Sequence, residues 1–233
     1  MNPLKAFRRL HRKHAAVLAL QGQTALFALA TIAVGFIVTA SALAQDSFDR
    51  AGLLALAPDS DRAAIRMADR HILVVRHARK ISEDCNALDC PLSATGEAMV
   101  ARLDSVLGEP DFDAVFSTGA CRTYETARAA GEVIQHAAAP SAPEMCGGGV
   151  AERTRADAFA EVMESDARWT LVAEHSNTSC GWVAAIAGDA ALAGTLCESG
   201  QLSSNDYGDI FWLHRHGDAW QLTVLDGAFE VAE

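Results

Sequence analysis

The chain has 233 residues, half of them hydrophobic, and a formal net charge of −11. Residues 1–44 hold five of the 19 Lys and Arg and none of the 30 Asp and Glu, which leaves 14 against 30, a net −16 over residues 45–233. So acidic a body excludes nucleic acid, or an anionic membrane surface, as a partner held by its general field; any anion it handles needs a local cationic pocket. The length allows one sizeable core and does not require a second domain.

The first element is a targeting segment. Lys5, Arg8, Arg9, Arg12 and Lys13 form a basic start, an apolar run spans Ala25 to Ala40, and Ala42-Leu43-Ala44 supplies a small-x-small exit. Together these read as a secretory signal, residues 1–44, cleaved after Ala44, with a periplasmic or secreted product. The alternative is an uncleaved anchor facing the periplasm, since Ala15 to Leu20 prolongs the apolar character. The main run is short for a span that needs about 20 apolar residues, which favours cleavage. A polar lead, residues 45–70, separates this segment from the domain expected over 71–233.

Ile72 to Val75 is a continuous apolar run, as in a strand covered on both faces. It runs straight into the cations of "RHARK". Met99, Leu103 and Val106 or Leu107 recur at helical spacing, predicting a helix over 94–107 with Ser93 as its cap. Ala114-Val115-Phe116 reads as a second strand. Ala120 to His136 reads as one long helix with Tyr124, Ala127, Ala130 and Val133 on a stripe. The stretch 140–150, with Pro143 and Gly147-Gly148-Gly149, is a loop, and no Lys-Ser or Lys-Thr follows to make it a phosphate loop. A helix through Phe159, Val162 and Met163 precedes a third strand at 169–173, and a helix over 178–187 follows. Two late strands, 209–214 and 220–225, meet at the turn Gly217-Asp218. This alternation predicts an α/β fold: a three-layer sandwich with a mainly parallel central sheet and helices on both faces.

All six cysteines (Cys85, Cys90, Cys121, Cys146, Cys180 and Cys197) lie beyond the targeting segment, an even number suited to disulfides. Cys85 and Cys90 are close enough to staple a local loop; the other pairings stay open. No second Cys pair has metal-ligand spacing. His214 and His216 would share one face of a strand, which suits a ligand pair but equally suits ordinary edge residues. No cofactor or metal is expected.

In sheets of this kind ligands gather beyond the carboxyl ends of the strands. Three strands deliver polar residues there: Arg76-His77, then Ser117-Thr118 with Arg122, then His175-Ser176-Asn177. The third group opens a helix, whose free N–H groups and positive dipole end favour an anion. Two guanidinium groups match phosphoryl oxygens, and a neutral histidine beside them can act as a nucleophile. Ser117 and Thr118 read as turn residues, Tyr124 and Trp182 as core or pocket wall.

With those residues in view, "VVRHARK", "PLSATGEAMVARL", "DAVFSTGACRTYETA" and "LVAEHSNT", in that order over about residues 71–188, resemble the histidine phosphatase superfamily, the phosphoglycerate-mutase-like group with an Arg-His-Gly or Arg-His-Ala motif. The resemblance implies an exported phosphomonoesterase that forms a phosphohistidine on His77. It assigns phosphate contacts to Arg76, Arg122 and His175, supported by Ser176 and Asn177, and a backbone carbonyl near Ala78 to hold the His77 ring. The implied substrate is a phosphorylated small molecule or phosphoprotein. The general acid is expected to be a carboxyl group between Arg122 and His175: Glu152 first, then Asp157 and Glu174. Arg79 stands where relatives often carry an acidic residue and would favour an anionic substrate tail. Glu174, in place of a glycine, would raise the pKa of His175 or point to solvent. The other function class is a non-catalytic relative that binds a phosphate ligand or a protein. A mutase comes third.

Overall fold

The computed structural model describes residues 50–109 and 111–232. The targeting segment expected over residues 1–44 lies outside them. Among the described residues no helix is long and apolar enough to cross a membrane.

Two helices, α1 (Ala51–Leu56) and α2 (Asp59–Met67), occupy the lead segment. The domain then runs β1 (Arg70–Arg76), α3 (Ala94–Leu107), β2 (Ala114–Thr118), α4 (Cys121–Ala127), a 3-10 turn (Arg128–Ala130), β3 (Val133–His136), α5 (Arg155–Glu164), β4 (Trp169–Glu174), α6 (Ser179–Ala187), a second 3-10 turn (Asp189–Leu192), β5 (Ile210–His216) and β6 (Ala219–Leu225). The six strands form one sheet in the order β3-β2-β4-β1-β5-β6. The first four are mutually parallel; β5 runs antiparallel to β1, and β6 to β5. The expected α/β sandwich is therefore the observed fold.

β1 lies between β4 and β5, which explains its unbroken apolar run. Ile72, Leu73, Val74 and Val75 are all fully buried. Alternate side chains face opposite layers. Ile72 and Val74 join Phe116, Val172, Phe211 and Leu213 in a cluster closed by Ala158 and Val162 of α5 and Val183 and Ile186 of α6. On the other side α3 buries Met99, Leu103 and Leu107. Its start is as expected: the Ser93 hydroxyl accepts from the Gly96 N–H at 3.0 Å.

The long helix expected over 120–136 is not present as such. Helix α4 ends at Ala127, and Gly131, with φ 132, turns the chain into β3. Val133 to His136 pairs in parallel with Val115 to Thr118 and forms an edge strand. Two β-branched residues beyond a glycine favour the extended chain over another helical turn, although they continue the 3.6-residue stripe.

The six cysteines form three disulfides, Cys85–Cys90, Cys121–Cys146 and Cys180–Cys197. Each fastens a loop at the carboxyl edge of the parallel strands. Gly119 shows how tightly one is packed: a Cβ there would lie 2.0 Å from the Glu144 carbonyl oxygen. The Gly119 carbonyl accepts from the Cys146 N–H at 2.6 Å. This contact fixes the turn between Thr118 and Arg122.

Candidate active site

The carboxyl ends of β1, β2 and β4 open on one cleft of about 630 Å³. Arg76, His77, Arg122, His175, Ser176 and Asn177 all line it, so six of the seven residues expected at the site converge. They come from three chain segments up to 101 residues apart in sequence, brought together by parallel pairing alone.

His77 is held from both ends. Its backbone N–H donates to the Glu174 carbonyl at 2.9 Å, and its Nδ1 lies 2.8 Å from the Ala78 carbonyl oxygen. A carbonyl can only accept, so Nδ1 carries the proton and Nε2 keeps its lone pair. The Ala78 N–H in turn donates to Thr126 Oγ1 at 2.9 Å, and that hydroxyl donates to the Arg122 carbonyl at 2.7 Å. Burial pulls the His77 pKa well below its usual 6.5, opposed by the Ala78 bond and reinforced by His175, Arg122 and Arg76. A neutral imidazole is therefore its resting state.

Arg76 and Arg122 are 4% and 8% exposed. Arg76 Nη1 donates to the carbonyls of Ser203, Ser204 and Asp206, and its guanidinium lies 3.6 Å from the Tyr207 ring centre. Arg122 Nη1 donates to the Ala87 carbonyl at 3.0 Å. Among the described residues neither has a carboxylate within ion-pair distance, and the Nε of each is buried without an acceptor. Two buried cations held by carbonyl dipoles, with no carboxylate in direct ion-pair contact, make an anion-binding centre.

His175 sits between Arg122 Nη2, 3.4 Å from Nδ1, and Thr118 Oγ1, 3.0 Å from Nε2. Burial and then the Arg122 charge draw its pKa down to about 4. Thr118, expected to be a turn residue, thus contacts a site histidine directly. The turn after His175 precedes α6, whose capping residue is Thr178.

Glu152 is the expected residue that the structure does not bring in. It is exposed and does not line the cleft. The peptide groups of its neighbour Arg153 and of Ala137 pair across the loop and hold this stretch beside β3. Asp157 closes a capping box with Thr154 at the start of α5. Glu174 is fully buried, accepting from Arg155 Nε, Trp182 Nε1 and Thr178 Oγ1 at 3.1, 2.8 and 2.6 Å. Burial pushes its pKa up, but His136, Arg155 and Thr178 together bring it down to about 2. It does not point to solvent; its charge raises the pKa of His175 as expected, against the larger lowering by burial and Arg122. Arg79 does not line the cleft either; it pairs with Glu230 at 3.3 Å.

Other side chains reach the cleft as well, among them Lys80, Glu83, Asn86 and Arg155. Glu83 is the one carboxylate among the lining residues, and the Tyr207 hydroxyl donates to its Oε1 at 3.1 Å. The Tyr207 ring stands edge-on to His77, centres 6.0 Å apart. Arg155 is a third cleft arginine, oriented by Glu174 and by the Ala138 carbonyl at 2.6 Å. A basic N1 residue beyond the Thr154 cap was its only sequence signal. His214 and His216 share a face as expected, 3.1 Å apart, but at the amino end of β1, where His214 is opposite His71, away from the cleft.

Residues 72–182 match the family model described as histidine phosphatase superfamily (branch 1). Among solved structures, the chain is similar to a candidate α-ribazole-5′-P phosphatase from Escherichia coli, with 15% identity and a TM-score of 0.48 over 70% of this chain and 99% of that one. A candidate phosphohistidine phosphatase SixA from Nakamurella multipartitia shows 22% identity and a TM-score of 0.46 over 66% and 92%. A mycobacterial glucosyl-3-phosphoglycerate phosphatase in complex with VO3 shows 19% identity and a TM-score of 0.47 over 67% and 98%. No curated protein matches the sequence.

Proposed function

We propose that this chain, whose residues 72–182 match the histidine phosphatase superfamily model, is an exported, metal-independent phosphomonoesterase in which His77 becomes transiently phosphorylated. The observation that carries this reading is the pair of buried, carboxylate-free arginines beside a histidine whose Nε2 lone pair is left open.

In the first step Nε2 of His77 attacks phosphorus; the N–P bond forms as the bond to the ester oxygen breaks. Arg76 and Arg122 hold the non-bridging oxygens, and their forked donors match the equatorial oxygens of the transition state. His175, neutral in the free enzyme, gains a proton's worth of basicity when the dianion arrives and then donates to it through Nδ1. Glu83 at the rim protonates the departing alkoxide. In the second step the Glu83 carboxylate takes a proton from water, which attacks phosphorus, and the P–N bond breaks to release inorganic phosphate. Export fits the three disulfides, which persist in an oxidising compartment, and the basic and apolar start of the sequence.

The test is hydrolysis of p-nitrophenyl phosphate in EDTA by the oxidised full-length chain, beside His77→Ala, with labelled protein recovered after an acid-free quench. Turnover in EDTA, an acid-labile label on the wild type and none on the variant are expected. A folded wild type that binds phosphate but turns nothing over would make it the non-catalytic relative.

A further inference from the structure

Beside the cleft lies a second hollow, of about 550 Å³. Arg155, Asn177 and Thr178 line both, so the two spaces adjoin across a shared rim. Beyond that shared rim the hollow is walled by Phe159 from α5 and by Gly181 and Trp182 from α6. The two aromatic rings lie 5.3 Å apart between centres. A single buried carboxylate fixes wall and rim together, since Trp182 Nε1 and Arg155 Nε both donate to Glu174 Oε1. This gives Glu174 a role that its place beside His175 did not suggest.

Gly181 is the informative residue. It is the third residue of a right-handed helix, where alanine is the better helix former. A Cβ built on it meets nothing within 4 Å. No turn and no close approach of backbone therefore demands glycine here. The space in front of it is exposed and belongs to the hollow.

We propose that this hollow receives the leaving group of the substrate, and that the substrate is a small-molecule aryl phosphate. The proposal rests on the phosphatase reading above. With the phosphoryl group at His77, a flat ring bonded to its ester oxygen extends past the rim toward Phe159 and Trp182. Aromatic walls favour offset or edge-on contact with such a ring, and the planar guanidinium of Arg155 can lie over its face. An aliphatic chain would use the apolar area but not this geometry.

The experiment compares kcat/KM for 2-naphthyl phosphate and acetyl phosphate with the oxidised full-length chain. The acyl group of the second substrate is too small to reach the hollow. Gly181→Leu fills it, and its ratio of naphthyl to acetyl kcat/KM is expected to fall about tenfold, equivalent to about 1.4 kcal/mol, mainly through KM. Gly181→Ala gives a smaller fall. Ala156→Leu, at an exposed position of α5 that also lines the hollow, gives the same fall and serves if the first variant does not fold. Unchanged ratios in folded variants overturn the proposal while turnover of acetyl phosphate leaves the phosphatase reading standing. No turnover of either substrate by the wild type overturns both.

Discussion

Thr118 Oγ1 and His175 Nε2 are 3.0 Å apart, and the direction of that bond is determined by their neighbours. Thr123 Oγ1 donates to the Ala120 carbonyl at 2.7 Å, so at its 2.7 Å contact with Thr118 it accepts. Thr118 therefore spends its proton on Thr123 and accepts from His175, which places the imidazole proton on Nε2 and leaves Nδ1 facing Arg122.

Thr118 is accordingly a positioning residue. Thr118→Val removes the acceptor and lets the ring turn; kcat/KM for p-nitrophenyl phosphate should drop about tenfold or more, as expected for a lost bond to a group that charges. Thr118→Ser should restore most of it and return the pH profile to that of the wild type. Equal activity in the Val variant would sink this assignment.

The lowered pKa of His77 has a kinetic consequence. An ordinary imidazole keeps only about a quarter of its free base at pH 6, whereas His77, well below 6.5, stays unprotonated there. The kcat/KM for p-nitrophenyl phosphate, which reports groups of the free enzyme, should show no loss centred near 6.5 between pH 7.5 and 6. A fall with an apparent pKa near 6.5 would contradict the buried neutral ring.

Stability should respond to acid in the opposite way. Burial lowers His71 to about 3, His175 and His214 to about 4, and His77 well below 6.5. Below pH 6.5 the unfolded chain binds protons that the folded one refuses, so stability falls with pH toward the folded values. Asp209, raised by burial to about 6, works in the other sense, because its folded form holds a proton that the unfolded one releases. Four groups against one leave a net loss. The melting temperature should fall by roughly 5–10 °C between pH 7 and 5; scanning calorimetry that shows a constant or rising value would refute this balance.

Glu83→Gln separates proton donation from phosphoryl binding. An alkyl phosphate needs a proton on its leaving oxygen, so its kcat should drop by about a hundredfold, while p-nitrophenyl phosphate, with a good leaving group, should lose less than about tenfold. Equal losses for both esters would move the acid elsewhere.

Much of this architecture is legible in the linear chain, and its limits have physical causes. Ile72 to Val75 announces a central strand because both its faces need apolar cover, and Ser93 announces α3 because a cap is a local bond. Arg76, His77, Arg122 and His175 converge because each ends a parallel strand or stands within a few residues of its carboxyl end. Val133 to His136 deceives because a short edge strand can continue a helical stripe; Gly131 was the sign of a break. Glu83, Arg155 and Tyr207 enter from segments whose paths are set by disulfides and long-range bonds rather than by periodicity. For the same reason Glu152, on such a path, could not be placed.

The order of the three disulfides has one more implication. Numbered along the chain, the first cysteine is bonded to the second, the third to the fourth and the fifth to the sixth. A polypeptide delivered amino end first into an oxidising medium offers each cysteine its native partner as the next thiol to arrive. On the export proposed above, the earliest bond to form is then the native one at each stage, and maturation is expected to need an oxidant but no reshuffling of mispaired thiols.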